Sequence, residues 1–414
     1  MSAPRLLATT LTTVVLVLPS TAHCEPPRES DGRRTVVVTD ELRATAGAAN
    51  AFAFDLYARL KSTDGNLFFS PASISTALAM TYGGAAGETK QQMAAVLHFE
   101  LPGDRLHGAQ RTLGEILNAS NKNYRLSTAN RLWGAEGFPF QPQFLALTRD
   151  AYGAELEQLD FSRTEEARAT INGWVAQQTN DRIQDLIPPN VLDPETRLVL
   201  TNAIFFKGNW AEAFEPKATG DAPFRLASGD EVTVPLMRQT GRFRYGEAEG
   251  LQVLELAYAG GDIAMLVLLP KEVGLDALEK KLTVENVSTW SSGLARKEVE
   301  VFLPRFKTTS EFQLGETLSA MGMPLAFSDN ADFSAMSSAE ELKLSEVIHK
   351  AFVEVNEQGT EAAAATGALI QPTAAPSDDE KPPVFRADRP FVFLIRDRRT
   401  GGILFLGRMN DPSS

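Results

Sequence analysis

Apolar side chains recur at helical spacing early in the chain. Ala49, Phe52, Ala53, Leu56 and Leu60 fall on one face, and this predicts an amphipathic helix. Ile171, Trp174, Val175 and Ile183 predict a second one. The run LVLTNAIFF (198–206) is nearly continuous in apolar residues, as a strand covered on both faces requires. Two hairpins follow from alternation broken by glycine. One joins Leu251–Tyr258 to IAMLVLLP through Ala259-Gly260-Gly261-Asp262. The other joins FVFLIRD (391–397) to GILFLGR (402–408) through Arg399-Thr400-Gly401. Helices dominate the first half and antiparallel strand pairs the second. The class is α+β rather than alternating βαβ.

The first segment has a different pattern. Arg5 precedes an apolar stretch from Leu6 to Leu18, and Ser20 and Ala22 fit a small-x-small cleavage pattern. Residues 1–22 read as a secretory signal, too short in apolar length to span a bilayer. The expected location is secreted or periplasmic, with a lipid anchor on Cys24 as the lesser alternative because His23 precedes it. Residues 23–45 are polar, Pro-bearing and short of core formers, hence a flexible tail. Residues 46–412 contain no linker before 371–383 and no repeat, so they read as one large domain.

Composition narrows the chemistry. The 414 residues include one cysteine, four histidines and a net charge of −13. One cysteine excludes an internal disulfide, an iron–sulfur cluster and a zinc site built on several thiolates. The acidic balance argues against nucleic acid, anionic membranes and polyanions as partners. HExxH, CxxC and GxSxG are all absent. TYGGAAGETK (81–90) lacks the spacing and the Gly-Lys-Ser/Thr of a phosphate loop, so it reads as a closely packed helix end. His98 and His107 are expected near exposed turns, and His349 lies inside an apolar pattern as a hydrogen-bonded core residue. No cofactor, no metal site and no enzymatic activity are expected.

The segment after Phe352 stands apart. Val353 and Val355 alternate as in a strand, and Asn356-Glu357-Gln358-Gly359 mark its end. Thr360, Glu361 and the four alanines Ala362, Ala363, Ala364 and Ala365 follow, then Thr366, Gly367 and Ala368. An ordinary loop would carry turn formers, and a stable strand would carry fewer alanines. Extended, it would put Thr360, Ala362, Ala364, Thr366 and Ala368 on one face and Glu361 on the other. The small uncharged face can be buried at little cost. The competing reading is an exposed alanine-rich helix.

HKAFVEVNEQGTEAAAAT closely resembles the hinge segment of serpins. NLFFSPASISTALAMTYGGAAGETKQQM (66–93), LVLTNAIFFKGNW (198–210), LELAYAGGDIAMLVLLP, VFLPRFK, MGMPLAFSDNADFS and RPFVFLIRDRRTGGILFLGRMNDP resemble further serpin blocks in the same order. The resemblance implies a serpin fold: a central, mainly antiparallel sheet, two further sheets, surrounding helices and an exposed reactive-centre loop at about 357–384. It also implies a monomeric suicide-substrate inhibitor whose partner is a target serine protease. Glu357, Gly359, Thr360, Glu361 and Ala362 to Ala365 match the hinge. Family spacing places the reactive bond at Thr373–Ala374. The loop is several residues longer than usual around Pro376–Glu380, so Leu369 and Ile370 are also candidates. Ser70, Ser73, Asn202 and His349 match the polar cluster beneath the sheet opening, and Trp210 the tryptophan above it. No Arg or Lys precedes Lys381 in the loop, which favours an elastase-like or subtilisin-like target. ETKQQMAAVLHF (88–99), matching a heparin-binding helix, has Lys90 as its one firm positive charge, so no heparin dependence is expected. The alternative is a non-inhibitory serpin-fold carrier.

Overall fold

Thr39 starts the first helix, α1 (Asp40–Leu60): its side chain accepts the Leu42 N–H, and Asp40 and Glu41 sit in the first turn. The helix therefore begins inside the stretch read as tail, because a capping residue and two acids precede the apolar stripe. The computed structural model describes residues 37–118, 123–338, 342–360 and 381–414. Val38–Ser414 form one compact unit.

The central sheet contains β1 (Tyr124–Ala135), β2 (Glu157–Leu159), β3 (Leu198–Asn209), β4 (Phe306–Gln313), β5 (Glu346–Asn356) and β6 (Gly359–Thr360). Their order is β4-β5-β6-β3-β1-β2, with β5 and β3 also paired directly. β3 is the run LVLTNAIFF, extended by three residues to Asn209. Its side chains divide between two cores, as expected for a strand without a solvent face. Val199, Ala203 and Phe205 join Ile348 and Phe352 under the helix Thr164–Gln178. Ile204 and Phe206 join Ala351, Val353 and Val355 against the second sheet.

That second sheet includes both hairpins. Leu251–Ala257 pairs with Ile263–Pro270, and Phe391–Asp397 with Ile403–Met409. Gly260 and Gly261 have φ of 86° and 77°, the left-handed values that the first turn needs. The two further sheets expected from the resemblance are one continuous nine-stranded sheet among the described residues, joined by the 18-residue strand Glu231–Ala248, which pairs with Leu251–Ala257 near its end and with Ala295–Pro304 along its middle.

The division into a helical first half and a stranded second half is only partial, since β1 spans 12 residues within the first half. Its alternation is blurred because both of its faces are partly covered. The second predicted helix stops at Gln178, and Ile183 reaches the same core from a turn where Asn180 and Asp181 have positive φ. The glycines of TYGGAAGETK do end a helix, α2 (Pro71–Gly84). A Cβ on Gly84 would sit 2.6 Å from that of Met336, so the packing there is close.

Candidate functional site

β3 and β5 run parallel and change their relation halfway along. Val199–Phe205 pair directly with Glu346–Phe352. Above that point the strands are parted, and β6 occupies the gap. Thr360 lies opposite Val355 on one side and Gly208 on the other; Gly359 lies opposite Asn356 and Asn209. Both pairings are antiparallel. The first two residues of a further strand are thus already in the sheet.

The closed half is fastened by a buried polar cluster. Ser70 caps α2 by accepting the Ser73 N–H, and its own hydroxyl donates to the Leu404 carbonyl at 2.6 Å. The Ser70 N–H donates to His349 Nε2 at 3.1 Å. Nε2 therefore bears the lone pair, and Nδ1 holds the proton that it donates to Asn202 Oδ1. Asn202 Nδ2 in turn donates to Ser73 Oγ at 2.7 Å and to Asn130 Oδ1. Burial pushes the His349 pKa down to about 3, against the smaller upward pull of Asn202. His349 and Asn202 lie opposite one another in the β5–β3 register, so this cluster crosses the seam.

The parted half is held differently. Trp210 Nε1 donates to the Asn356 carbonyl at 3.0 Å, and its ring stacks on Tyr258 at 4.5 Å between centroids. The Tyr258 and Thr360 hydroxyls are 2.6 Å apart, and both residues are fully buried. Burial raises the Tyr258 pKa, so its phenol stays neutral. Gly359 has φ of 151°, and a Cβ there would lie 2.0 Å from the Gly208 carbonyl oxygen. No other residue fits.

The turn that joins β5 to β6, at the far end of the parted half, is clamped by Glu357. Arg305 Nε donates to its carboxylate at 2.6 Å, and the Thr219 hydroxyl does so at 2.5 Å. Burial alone would raise its pKa, but those donors outweigh it and hold the group below the usual carboxylate range. Arg305, Thr219, Tyr258 and Asn130 were not singled out from the sequence. Their partners are remote along the chain, and no local pattern marks them.

The structure thus brings Ser70, Ser73, Asn202 and His349 together, and separately Trp210, Glu357, Gly359 and Thr360. Glu361, Ala362 to Ala365 and the Thr373–Ala374 bond lie outside the described residues, as do Cys24 and the leading apolar stretch. One histidine differs from expectation. His107 is buried on the helix α3 (Gly103–Asn118), with Nδ1 2.6 Å from the Tyr152 hydroxyl. Burial first, then Lys90, push its pKa down to about 4. His98 does sit at a turn, with φ of 55°, paired with Asp55 at 2.7 Å. Among the described residues, no group of three or more His, Cys, Asp or Glu could hold a metal ion, and no helix is long and apolar enough to cross a membrane.

Comparison with known proteins fits this geometry. The family model for serpins, serine protease inhibitors, matches residues 47–412. The leukocyte elastase inhibitor of Bos taurus is 45% identical over 383 residues, covering 90% of this chain and 100% of that protein. Uncleaved ovalbumin superposes with a TM-score of 0.80 at 35% identity, covering 89% of this chain and 100% of that one. Human thyroxine-binding globulin in complex with thyroxine gives 0.82 at 33% identity, covering 90% and 99%. The same relatives correct the expectation of a secreted or periplasmic protein: the leukocyte elastase inhibitors are intracellular serpins lacking a signal peptide. An apolar stretch behind one arginine satisfies the leader pattern on composition alone, and that pattern does not outweigh the relatives. From the matched family model, the relatives and the shared fold, the chain belongs to the serpin family.

Proposed function

We propose that this chain is a suicide-substrate inhibitor of serine proteases of elastase-like or subtilisin-like specificity, and not an enzyme. The observation that carries the reading is β6, whose Gly359 and Thr360 already bridge β5 and β3. A protease serine attacks the loop at Thr373–Ala374 and forms an acyl-enzyme. The freed segment extends β6 downward, placing Ala362, Ala364, Thr366 and Ala368 in succession on the face that Thr360 already buries. About 15 residues at ~3.3 Å each carry the acylated protease roughly 50 Å. The inserted residues gain ladder hydrogen bonds to β3 and β5 alternately, at the cost of breaking the direct β3–β5 pairing one step at a time. The fastening cluster of Ser70, Ser73, Asn202 and His349 holds that pairing until cleavage. Glu357 and Trp210 anchor the fixed end, so the insertion has a pivot.

The loop's lack of basic residues before Lys381 supports the target class, as does likeness to inhibitors of leukocyte elastase. Neither a cofactor nor heparin enters the scheme, and the inhibitor acts as a monomer. Incubation with an elastase and with a subtilisin tests the reading. A complex that survives denaturing electrophoresis, with the cut mapped by mass to Thr373–Ala374, is expected. Clean turnover of the loop without a complex would defeat it. A second reading, a binding or carrier role, draws on the likeness to thyroxine-binding globulin; it expects cleavage to leave the melting temperature unchanged.

A further inference from the structure

The helix Thr164–Gln178 and the turn after it form one unit. The Asn172 side chain accepts the Ile187 N–H at 2.8 Å and donates to the Ile187 carbonyl at 3.0 Å, so the turn goes where the helix goes. Ile183, Leu186 and Ile187 share one core with Val199 and Phe205 of β3 and with Ile348 and Phe352 of β5. The unit therefore lies across the seam.

It has a polar anchor on each side. On the β5 side Lys350 Nζ donates to the Gln184 carbonyl at 2.9 Å and to the Asp185 carbonyl at 3.3 Å. On the other side the anchor is Arg131 of β1. Its guanidinium carbon lies 4.3 Å from the ring centre of Trp174, on the helix, and 5.1 Å from that of Trp133, two residues further along the same face of β1. The two rings meet edge to face at 5.4 Å. Arg131 Nη1 also pairs with Glu157 of β2, while Nε is buried without a hydrogen-bond partner. Ring faces, more than hydrogen bonds, thus hold the group in place. Trp133 Nε1 in turn donates to Thr201 Oγ1 at 2.9 Å, and Thr201 of β3 lies opposite Arg131 in the register. One cation joins the helix to β1, β2 and β3.

Inserting a strand parts β3 from β5 by about 4.8 Å. No hydrogen bond stretches that far, so one anchor has to release. Lys350 releases at low cost, since it keeps its ion pair with Glu311 of β4 at 2.8 Å. Arg131 would lose the Trp174 face and keep a pair with a carboxylate that is 44% exposed, which holds weakly. We infer that Arg131 is a positioning residue for loop insertion: it makes the helix and its turn follow β1 and β3, and so clears the helix side of the seam for the incoming strand. This rests on the inhibitory reading above. The cluster around His349 keeps the seam shut, whereas Arg131 acts once it opens.

Three variants of the full chain test the assignment. Arg131→Met keeps a side chain of similar length between the rings and removes the charge. Arg131→Lys restores a cation, and Trp174→Leu removes the ring on the helix. Each is reacted with an elastase and a subtilisin, and the ratio of cleaved to complexed inhibitor is read by electrophoresis. Amide hydrogen exchange over 164–178 and a denaturant melt accompany it. For Arg131→Met the ratio should rise at least threefold and exchange of the helix amides roughly tenfold, equivalent to about 1.4 kcal/mol. Trp174→Leu should do the same, the double variant no more than either alone, and Arg131→Lys should recover at least half of the loss. A lowered melt with an unchanged ratio would make Arg131 merely structural and overturn the proposal. Fully additive single variants would overturn it too. If the unaltered chain forms no complex, the inhibitory reading fails instead, and exchange alone judges the anchor: faster in Arg131→Met upholds it, equal rates remove it. Should Arg131→Met not fold, Trp174→Leu and Arg131→Lys carry the same comparison.

Discussion

The two halves of the β3–β5 seam are made of the same two strands and held by opposite means. In the lower half the strands pair directly, and a buried network through Ser70, Ser73, Asn202 and His349 crosses between them. In the upper half they are parted around Gly359 and Thr360, and aromatic stacking with one buried hydroxyl pair holds the wedge. A polar network is strong only while every member is satisfied, so it opens all at once. A wedge of small residues has no such threshold. Under the proposed mechanism the difference teaches that stability and readiness to insert reside in separate places along one seam.

Substitutions that act on one half alone sharpen that contrast. The largest effect is expected from Thr360→Arg, which forces a charge into a fully buried position. Yield of denaturation-resistant complex should fall by roughly tenfold or more, since expelling β6 needs only about 1.4 kcal/mol per factor of ten. An undiminished yield, measured by electrophoresis, would mean that the wedge is not the start of insertion. On the closed half, His349→Ala orphans the Ser70 N–H and Asn202 Oδ1 and leaves a void, at a cost of about 3 kcal/mol. Denaturant melts should show that loss, with faster spontaneous burial of the loop. Glu357→Lys sets a second cation against Arg305 and should cost about 2 kcal/mol, less than a fully buried pair because Arg305 is 43% exposed.

These contacts explain how far the sequence could be read. The hairpins and the doubly covered β3 follow local periodicity, and local periodicity survived folding. His349 and Asn202 were recognised as a pair through family likeness, because 147 residues separate them and no spacing rule joins them. Arg305, 52 residues from Glu357, looks in sequence like any solvated cation. Tyr258 ends a predicted strand, and its hydroxyl acquires a partner only because the sheet parts 102 residues later in the chain. Asn130 was hidden for another reason: β1 is half-covered on both faces, so a half-buried asparagine interrupts no clear pattern.

Smaller effects separate the halves further. His349 titrates at about 3 in the fold and near 6.5 when unfolded, so the unfolded chain takes up the proton first. Its contribution is therefore complete above about pH 6.5 and declines as the pH falls towards 3, with a slope approaching 1.4 kcal/mol per unit. His107 adds to the same trend down to about 4. Comparing His349→Asn with the unaltered chain should isolate the seam's share, and an identical acid profile in both would remove His349 from the account. Tyr258→Phe, the mildest change, leaves the Thr360 hydroxyl unpaired and should cost about 1 kcal/mol, with a modest drop in complex yield.

All of these bear on one proposed event, the lengthening of β6 into the closed half. Thermal unfolding of the intact chain and of the same chain nicked once within 361–380 reads it directly. Insertion predicts that the nicked form melts at least ~10 °C higher, because it gains a full strand of ladder bonds and buried surface. A nicked form that melts at or below the intact one would contradict the account.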